Sequence, residues 1–197
     1  MNKQELTQLV TEILTQDGKT VARSTDTQPI FNGELQQNIT VERPQLWSPE
    51  NPKLYDFTLT NEAGDEVQSY FAVRTLETKD INGIPRLCLN GKPYFFHGLL
   101  DQGYFSDGIF TPASPEEFKN DILSMKELGF NMLRKHIKIE PQLFYYYCDI
   151  YGMAVFQDFV NNGRYSFHAG SIIHFVHQFT QCHHNGCLSA FRLWAPI

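Results

Sequence analysis

The chain has 197 residues, 42% hydrophobic and 14% aromatic, with a formal charge of −6. The acidic balance, with no basic stripe, argues against a nucleic-acid partner, and no run of about 18 apolar residues exists to span a membrane. The length fits one large domain, or one small domain with part of another. Sixteen Phe suit both a core and contacts to carbohydrate. The N-terminus, MNKQELTQLV, has no long apolar run after its lysine, so no signal peptide is expected and the expected location is cytoplasmic. Four Cys in such a chain read as free thiols rather than a disulfide framework.

In chain order, LTQLVTEILTQ and KTVARST flank Asp17-Gly18. Asp-Gly tolerates the positive φ of a tight turn, so the pair predicts a hairpin. A helix over residues 3–14 competes, because Leu6, Leu9, Val10 and Ile13 also fit a 3.6 period. The alternation of the following run favours strands. Asn38 to Glu42 predicts another short strand. Trp47 to Pro52 is irregular, since two prolines in four residues forbid regular pairing. Leu54 to Thr60 alternates, Ala63-Gly64-Asp65 turns, and Val67 to Leu76 returns as a strand. Short strands with regular turns suggest a β-sandwich.

Gly83 to Tyr104 then hands the chain over to a different period. It contains the hairpin turn Asn90-Gly91 and a mostly apolar run, Tyr94 to Leu100, expected of a strand buried on both faces. Ser114-Pro115-Glu116-Glu117 opens a helix, with Ser114 as cap, Pro115 first and Glu117 completing a capping box. Phe118, Ile122, Met125 and Leu128 recur at helical spacing, and Gly129 ends the helix. Phe130 to Leu133 is the next strand. Pro141 starts a second helix, stopped by Gly152, and Met153 to Phe156 is a third strand. Strands alternating with helices imply right-handed βαβ units and a parallel sheet.

Parallel α/β folds carry their chemistry at the C-terminal strand ends. Those ends are polar each time: Asp101-Gln102, Arg134-Lys135-His136, and Gln157-Asp158 with Asn161-Asn162. Loops are polar in any case, so the recurrence is suggestive rather than decisive.

LWSPENPKLYDFTL, FAVRTLE, NGKPYFFHG, DILSMKELGFNMLRKHIKIEP and YYYCDIYGMAVFQDF resemble, in order and spacing, glycoside hydrolase family 2. That family includes β-galactosidases, β-glucuronidases and β-mannosidases. The resemblance spans about residues 5 to 167. It implies an immunoglobulin-like β-sandwich over residues 1–78. The first three βα units of an incomplete (β/α)8 TIM barrel would follow over 79–167, with an anomalous tail over 168–197. The family's N-terminal jelly-roll domain has no counterpart.

Family members hydrolyse β-glycosides with retention, which needs two carboxyl groups about 5–5.5 Å apart. The resemblance places the acid/base glutamate after barrel strand four, in an Asn-Glu pair, and the nucleophile after strand seven. No Asn-Glu follows Asp158, and the Asn61-Glu62 pair sits in a sandwich turn. The expectation is therefore a truncated glycosidase, inactive alone. Asp101 and Asp158 end alternate strands and could face one cavity, but an open three-stranded sheet offers no wall to desolvate either. Catalysis by that pair is not expected.

The resemblance assigns sugar-binding roles instead. Arg134 would buttress carboxylates, as a planar cation can hold one bidentately, and His136 would hydrogen-bond the sugar. Asp101, Asp158 and Asn162 would add acceptors or amides at the same mouth. The alternatives are a surface ion pair for Arg134 and a loop-capping role for Asp101. FQDFVNNG lacks a metal-binding Glu-x-His, so no metal and no cofactor are expected.

From His168 the resemblance stops. The last thirty residues hold five of the seven His, two of the four Cys and one charged side chain, Arg192. His174, His177, Cys182, His183, His184 and Cys187 are zinc-ligand types, but their spacing fits no common zinc pattern. An aberrant or out-of-frame terminus is the expectation, with a zinc-binding tail as the alternative. A β-glycoside or oligosaccharide is the expected substrate of a full-length, homo-oligomeric enzyme. A chain with three barrel strands should expose a sheet edge and self-associate. A non-catalytic carbohydrate-binding or interaction module is the remaining alternative.

Overall fold

A computed structural model describes residues 6–29 and 37–158. These fall into two compact units. One runs to Trp47 and resumes over Lys53–Val73; the other holds Ser48–Pro52 and runs on from Arg74.

The first unit is an antiparallel sheet of β1 (Leu6–Thr15), β2 (Thr20–Pro29), β3 (Tyr55–Asn61) and β4 (Glu66–Phe71), in the order β2-β1-β3-β4. The expected hairpin forms at Asp17-Gly18, where Gly18 has φ +80 and Gly18 N–H donates to Thr15 O at 2.8 Å. β1 is a strand, not a helix: Leu9, Thr11 and Ile13 are buried and alternate with more exposed neighbours. Period two therefore outweighs the coincidental 3.6 spacing. The turn at Gly64 is closed by Asn61, whose Oδ1 accepts from Asp65 N–H at 2.9 Å. Tyr55 stacks on Phe71 at 5.4 Å, and Trp47 N–H donates to Val73 O.

Two expectations fail in this part of the chain. Residues 38–42 form no strand. Their side chains do alternate in exposure, but alternation is local, and a strand needs a neighbouring edge to take its hydrogen bonds. The expected strand from Val67 to Leu76 also breaks, since β4 ends at Phe71 and Leu76 begins a strand of the second unit.

The second unit opens with an antiparallel meander of β5 (Leu76–Ile81), β6 (Ile84–Leu89) and β7 (Lys92–Pro93). Its two turns are Asn82-Gly83 and Asn90-Gly91, all four residues at positive φ. That backbone matches the twist of the paired strands, and Asn-Gly adopts it most readily.

A parallel sheet follows, made of β8 (Gly98–Asp101), β9 (Met132–Lys135) and β10 (Ala154–Gln157), in the order β10-β9-β8. Helix α1 (Pro115–Glu127) joins β8 to β9, and α2 (Gln142–Tyr151) joins β9 to β10. Phe118 and Ile122 of α1 and Phe144, Tyr145 and Cys148 of α2 pack with Leu133, Met153 and Val155 in one core. Ser114 occupies the expected N-cap of α1 with extended backbone, but its side chain makes no cap hydrogen bond, so the expected capping box does not close. Gly129 and Gly152 end the helices at φ +89 and +74.

The run Tyr94 to Leu100 is not a strand buried on both faces. Only Gly98–Asp101 joins the ladder, and Phe95 and Leu100 are 80% and 55% exposed. The Asn131 side chain takes the place of a neighbouring strand. Its Oδ1 accepts from His97 N–H at 2.8 Å, and its Nδ2 donates to Phe95 O at 3.0 Å. Among the described residues no helix is long and apolar enough to cross a membrane.

Candidate functional site

Register decides which residues share a face. Asp101 pairs with Lys135, and Lys135 with Gln157; Leu100 pairs with Arg134, and Arg134 with Phe156. Side chains alternate along each strand. Leu133 and Val155 face the helices in the core, so Asp101, Lys135 and Gln157 share that face. Leu100, Arg134 and Phe156 take the opposite one.

On that opposite face Arg134 holds Asp158 with both prongs. Nε lies 3.3 Å from Oδ1 and Nη2 lies 3.1 Å from Oδ2. The guanidinium is 55% exposed and the carboxylate 27% exposed. The parallel ladder runs past the strand ends, with His136 N–H donating to Asp101 O at 2.8 Å and Asp158 N–H to Lys135 O at 2.9 Å. His136 Nδ1 lies 3.1 Å from Gln102 Nε2. Arg134 and Asp158 are thus paired on this face, and His136, two residues after Arg134, contacts Gln102.

Asp101 does not join them. Its Oδ2 lies 2.9 Å from Lys135 Nζ, and its Oδ1 accepts from Gly103 N–H at 2.7 Å. Lys135 is only 1% exposed, contacts Glu140 as well, and lies 4.6 Å above the Phe144 ring. Glu140, also 1% exposed, takes a second ammonium from Lys138 at 2.7 Å. The paired charges replace the water that burial removed. The expectation that Asp101 and Asp158 could face one cavity is corrected: β8 ends with its carboxylate turned to the helix side. Asp121 of α1 borders this cluster. Partial burial, with the Asp101 charge as a second cause, raises its pKa above the usual 3.8, and Lys135 partly offsets this.

Gly103 is dictated by the cluster. It has φ +63, and a Cβ there would lie 2.3 Å from Glu140 Oε1 and 2.6 Å from Lys135 Nζ. Only a residue without a side chain lets the loop pass over the ion pairs.

Asn162 and the zinc-ligand types of the last thirty residues lie outside the described residues. Among the described residues no group of three or more His, Cys, Asp or Glu could hold a metal. Sequence reasoning missed Lys135 and Glu140 as cluster members. The signal existed: Leu133 and Lys135 are two apart, so a buried Leu133 implies a buried Lys135.

Residues 2–74 match the family described as Glycosyl hydrolases family 2. The chain is 36% identical over 129 residues to a β-galactosidase of Enterobacter cloacae, covering 61% of this chain and 12% of that protein. These matches show the likeness of the chain to glycosyl hydrolase family 2. Among solved structures, a family 2 member from Bacteroides cellulosilyticus is 26% identical, with a TM-score of 0.64 over 77% of this chain and 21% of that one. The β-glucuronidase of Parabacteroides merdae, at 21% identity and a TM-score of 0.63 over 76% of this chain and 19% of its own, shares the fold. The chain therefore spans a small part of the relatives it matches.

Proposed function

We propose that the chain is part of a retaining glycosidase of the β-galactosidase/β-glucuronidase type and does not by itself hydrolyse glycosides. Its first unit is read as the immunoglobulin-like sandwich and its second as the opening of a (β/α)8 barrel. Three parallel strands in sequence order, with helices packed on one face and polar strand ends, support that reading.

The observation that carries the function is the Arg134–Asp158 pair beside His136, on the sheet face opposite the helices. A sugar ring presents hydroxyls that both donate and accept. Asp158 offers acceptors fixed by a bidentate cation, and His136 offers a ring nitrogen. Asp101 acts one step back, by holding Lys135 and the loop at Gly103. Turnover is not proposed for these residues alone, because no glutamate follows Asp158 in the sequence and retention needs two carboxyl groups across the bond.

The test is to assay the pure chain with aryl β-galactoside and aryl β-glucuronide, and to titrate it with galactose, glucuronic acid and mannose. The expected result is no turnover, and binding of at least one sugar that Arg134→Ala abolishes. Turnover would overturn the inactivity, and no heat with any sugar would overturn the binding site.

A further inference from the structure

The loop after β8 treats its aromatic residues unequally. Phe105 turns in and packs edge-on against Phe118 at 5.5 Å. Tyr104 and Phe110 stay 62% and 57% exposed, their ring centroids 5.1 Å apart and their planes tilted by 41°. Large apolar rings normally find cover, so two neighbouring exposed rings invite a ligand.

Four contacts hold those rings outward. Phe105 and Ile109 exchange backbone hydrogen bonds at 2.9 and 3.0 Å. Lys138 Nζ donates to Gly103 O at 2.8 Å and also to Phe110 O, gripping both ends of the loop. Lys138 is in turn tied to buried Glu140. Ile109 sits at φ +61, a conformation that β-branched residues reach only when their surroundings impose it. The display of Tyr104 and Phe110 is therefore built in, with little ordering left to do on binding.

Gln102, two residues before Tyr104, lies 3.1 Å from His136 Nδ1 and so ties the start of the loop to the Arg134 face. The same loop carries exposed polar side chains, Gln102 and Asp107. An apolar surface edged by hydrogen-bonding groups matches a pyranose, which has a C–H face and a hydroxyl rim.

We propose that Tyr104 and Phe110 form a stacking platform for a second pyranose ring, next to the one held at Arg134, His136 and Asp158. The inference rests on the sugar-binding reading above and extends it to a disaccharide or longer oligosaccharide.

The test titrates the 197-residue chain by NMR with the methyl β-glycosides of galactose and glucuronic acid. The β-linked disaccharides carrying the same terminal sugars serve as the comparison. The disaccharide should bind roughly tenfold more tightly than its methyl glycoside. Tyr104→Ala and Phe110→Ala should remove that advantage, Tyr104→Trp should keep it, and none of the three should change methyl glycoside affinity. No advantage in the unmodified chain, no disaccharide binding at all, or an advantage that survives both alanine variants overturns the platform. Failure of the underlying reading looks different: methyl glycoside affinity would then be indifferent to Arg134→Ala, whatever the disaccharides do.

Discussion

Lys135 Nζ lies 2.9 Å from Asp101 Oδ2, and the two residues face each other across adjacent parallel strands on the helix-covered side of the sheet. One residue earlier in each strand, Arg134 pairs with Leu100 in the ladder and turns to the other side. Neighbours in sequence thus serve two purposes. Lys135 and Asp101 tie the sheet to its loops, and Arg134 pairs with Asp158 on the other face.

Lys135→Met should be severely destabilising. The ammonium is 1% exposed and serves both Asp101 and Glu140. Removing it leaves Asp101 without its cation and buried Glu140 with Lys138 alone, at a cost of about 3–5 kcal/mol. Urea unfolding followed by the helical circular dichroism signal reads this directly, since α1 and α2 both lie in the second unit. A loss below about 1 kcal/mol, the range of a surface pair, would show that the cluster is not a structural core.

Arg134→Ala should behave in the opposite way. Its side chain is 55% exposed, and exposed pairs contribute about 0–1 kcal/mol. Stability should hardly change while sugar binding disappears. Parallel unfolding and calorimetric titrations separate the two effects. A variant that unfolds early would make Arg134 a structural residue instead.

Much of this arrangement can be read from residue types. Asp17-Gly18 and Asn90-Gly91 mark hairpins because their backbones tolerate positive φ. Asn82-Gly83 carries the same mark and forms the turn between β5 and β6. Pro115 and Gly129 bracket α1 through backbone constraints that operate within a few residues. What stays hidden is set by partners distant in sequence. Residues 38–42 alternate like a strand and find no edge to join. Tyr94–His97 looks like a buried strand, yet the amide of Asn131, more than thirty residues on, takes its hydrogen bonds. The split of the candidate site has the same cause. Asp101 and Arg134 both look like polar strand ends, and only the register between β8 and β9 shows that they face opposite ways.

Gly103→Ala should loosen the loop after β8. The added Cβ would lie 2.3 Å from Glu140 Oε1 and 2.6 Å from Lys135 Nζ, at a backbone φ of +63. Strain of this kind costs of order 1–3 kcal/mol. Faster amide exchange should appear at Phe105 and Ile109, whose N–H groups close the loop. Unchanged protection at both amides would show that the loop is held independently of Gly103.

Asp121→Asn should stabilise the protein at neutral pH, and the gain should fade in acid. Partial burial, with Asp101 as a second cause, raises the Asp121 pKa above 3.8 in the folded state, and Lys135 opposes this. A carboxyl with a raised folded pKa favours folding only while protonated. That contribution is complete below the unfolded value and is lost as pH rises through the folded one. At neutral pH the charged carboxylate is therefore a small liability, limited because the side chain is only partly withdrawn from water. Asn removes the charge and has a similar helix propensity. Urea midpoints for both proteins, taken at neutral pH and again below the ordinary aspartate value of 3.8, read the difference. The Asn variant should lead at neutral pH and draw level in acid. A lead that persists unchanged below that value would mean the effect comes from packing or helix propensity, and not from the charge on Asp121.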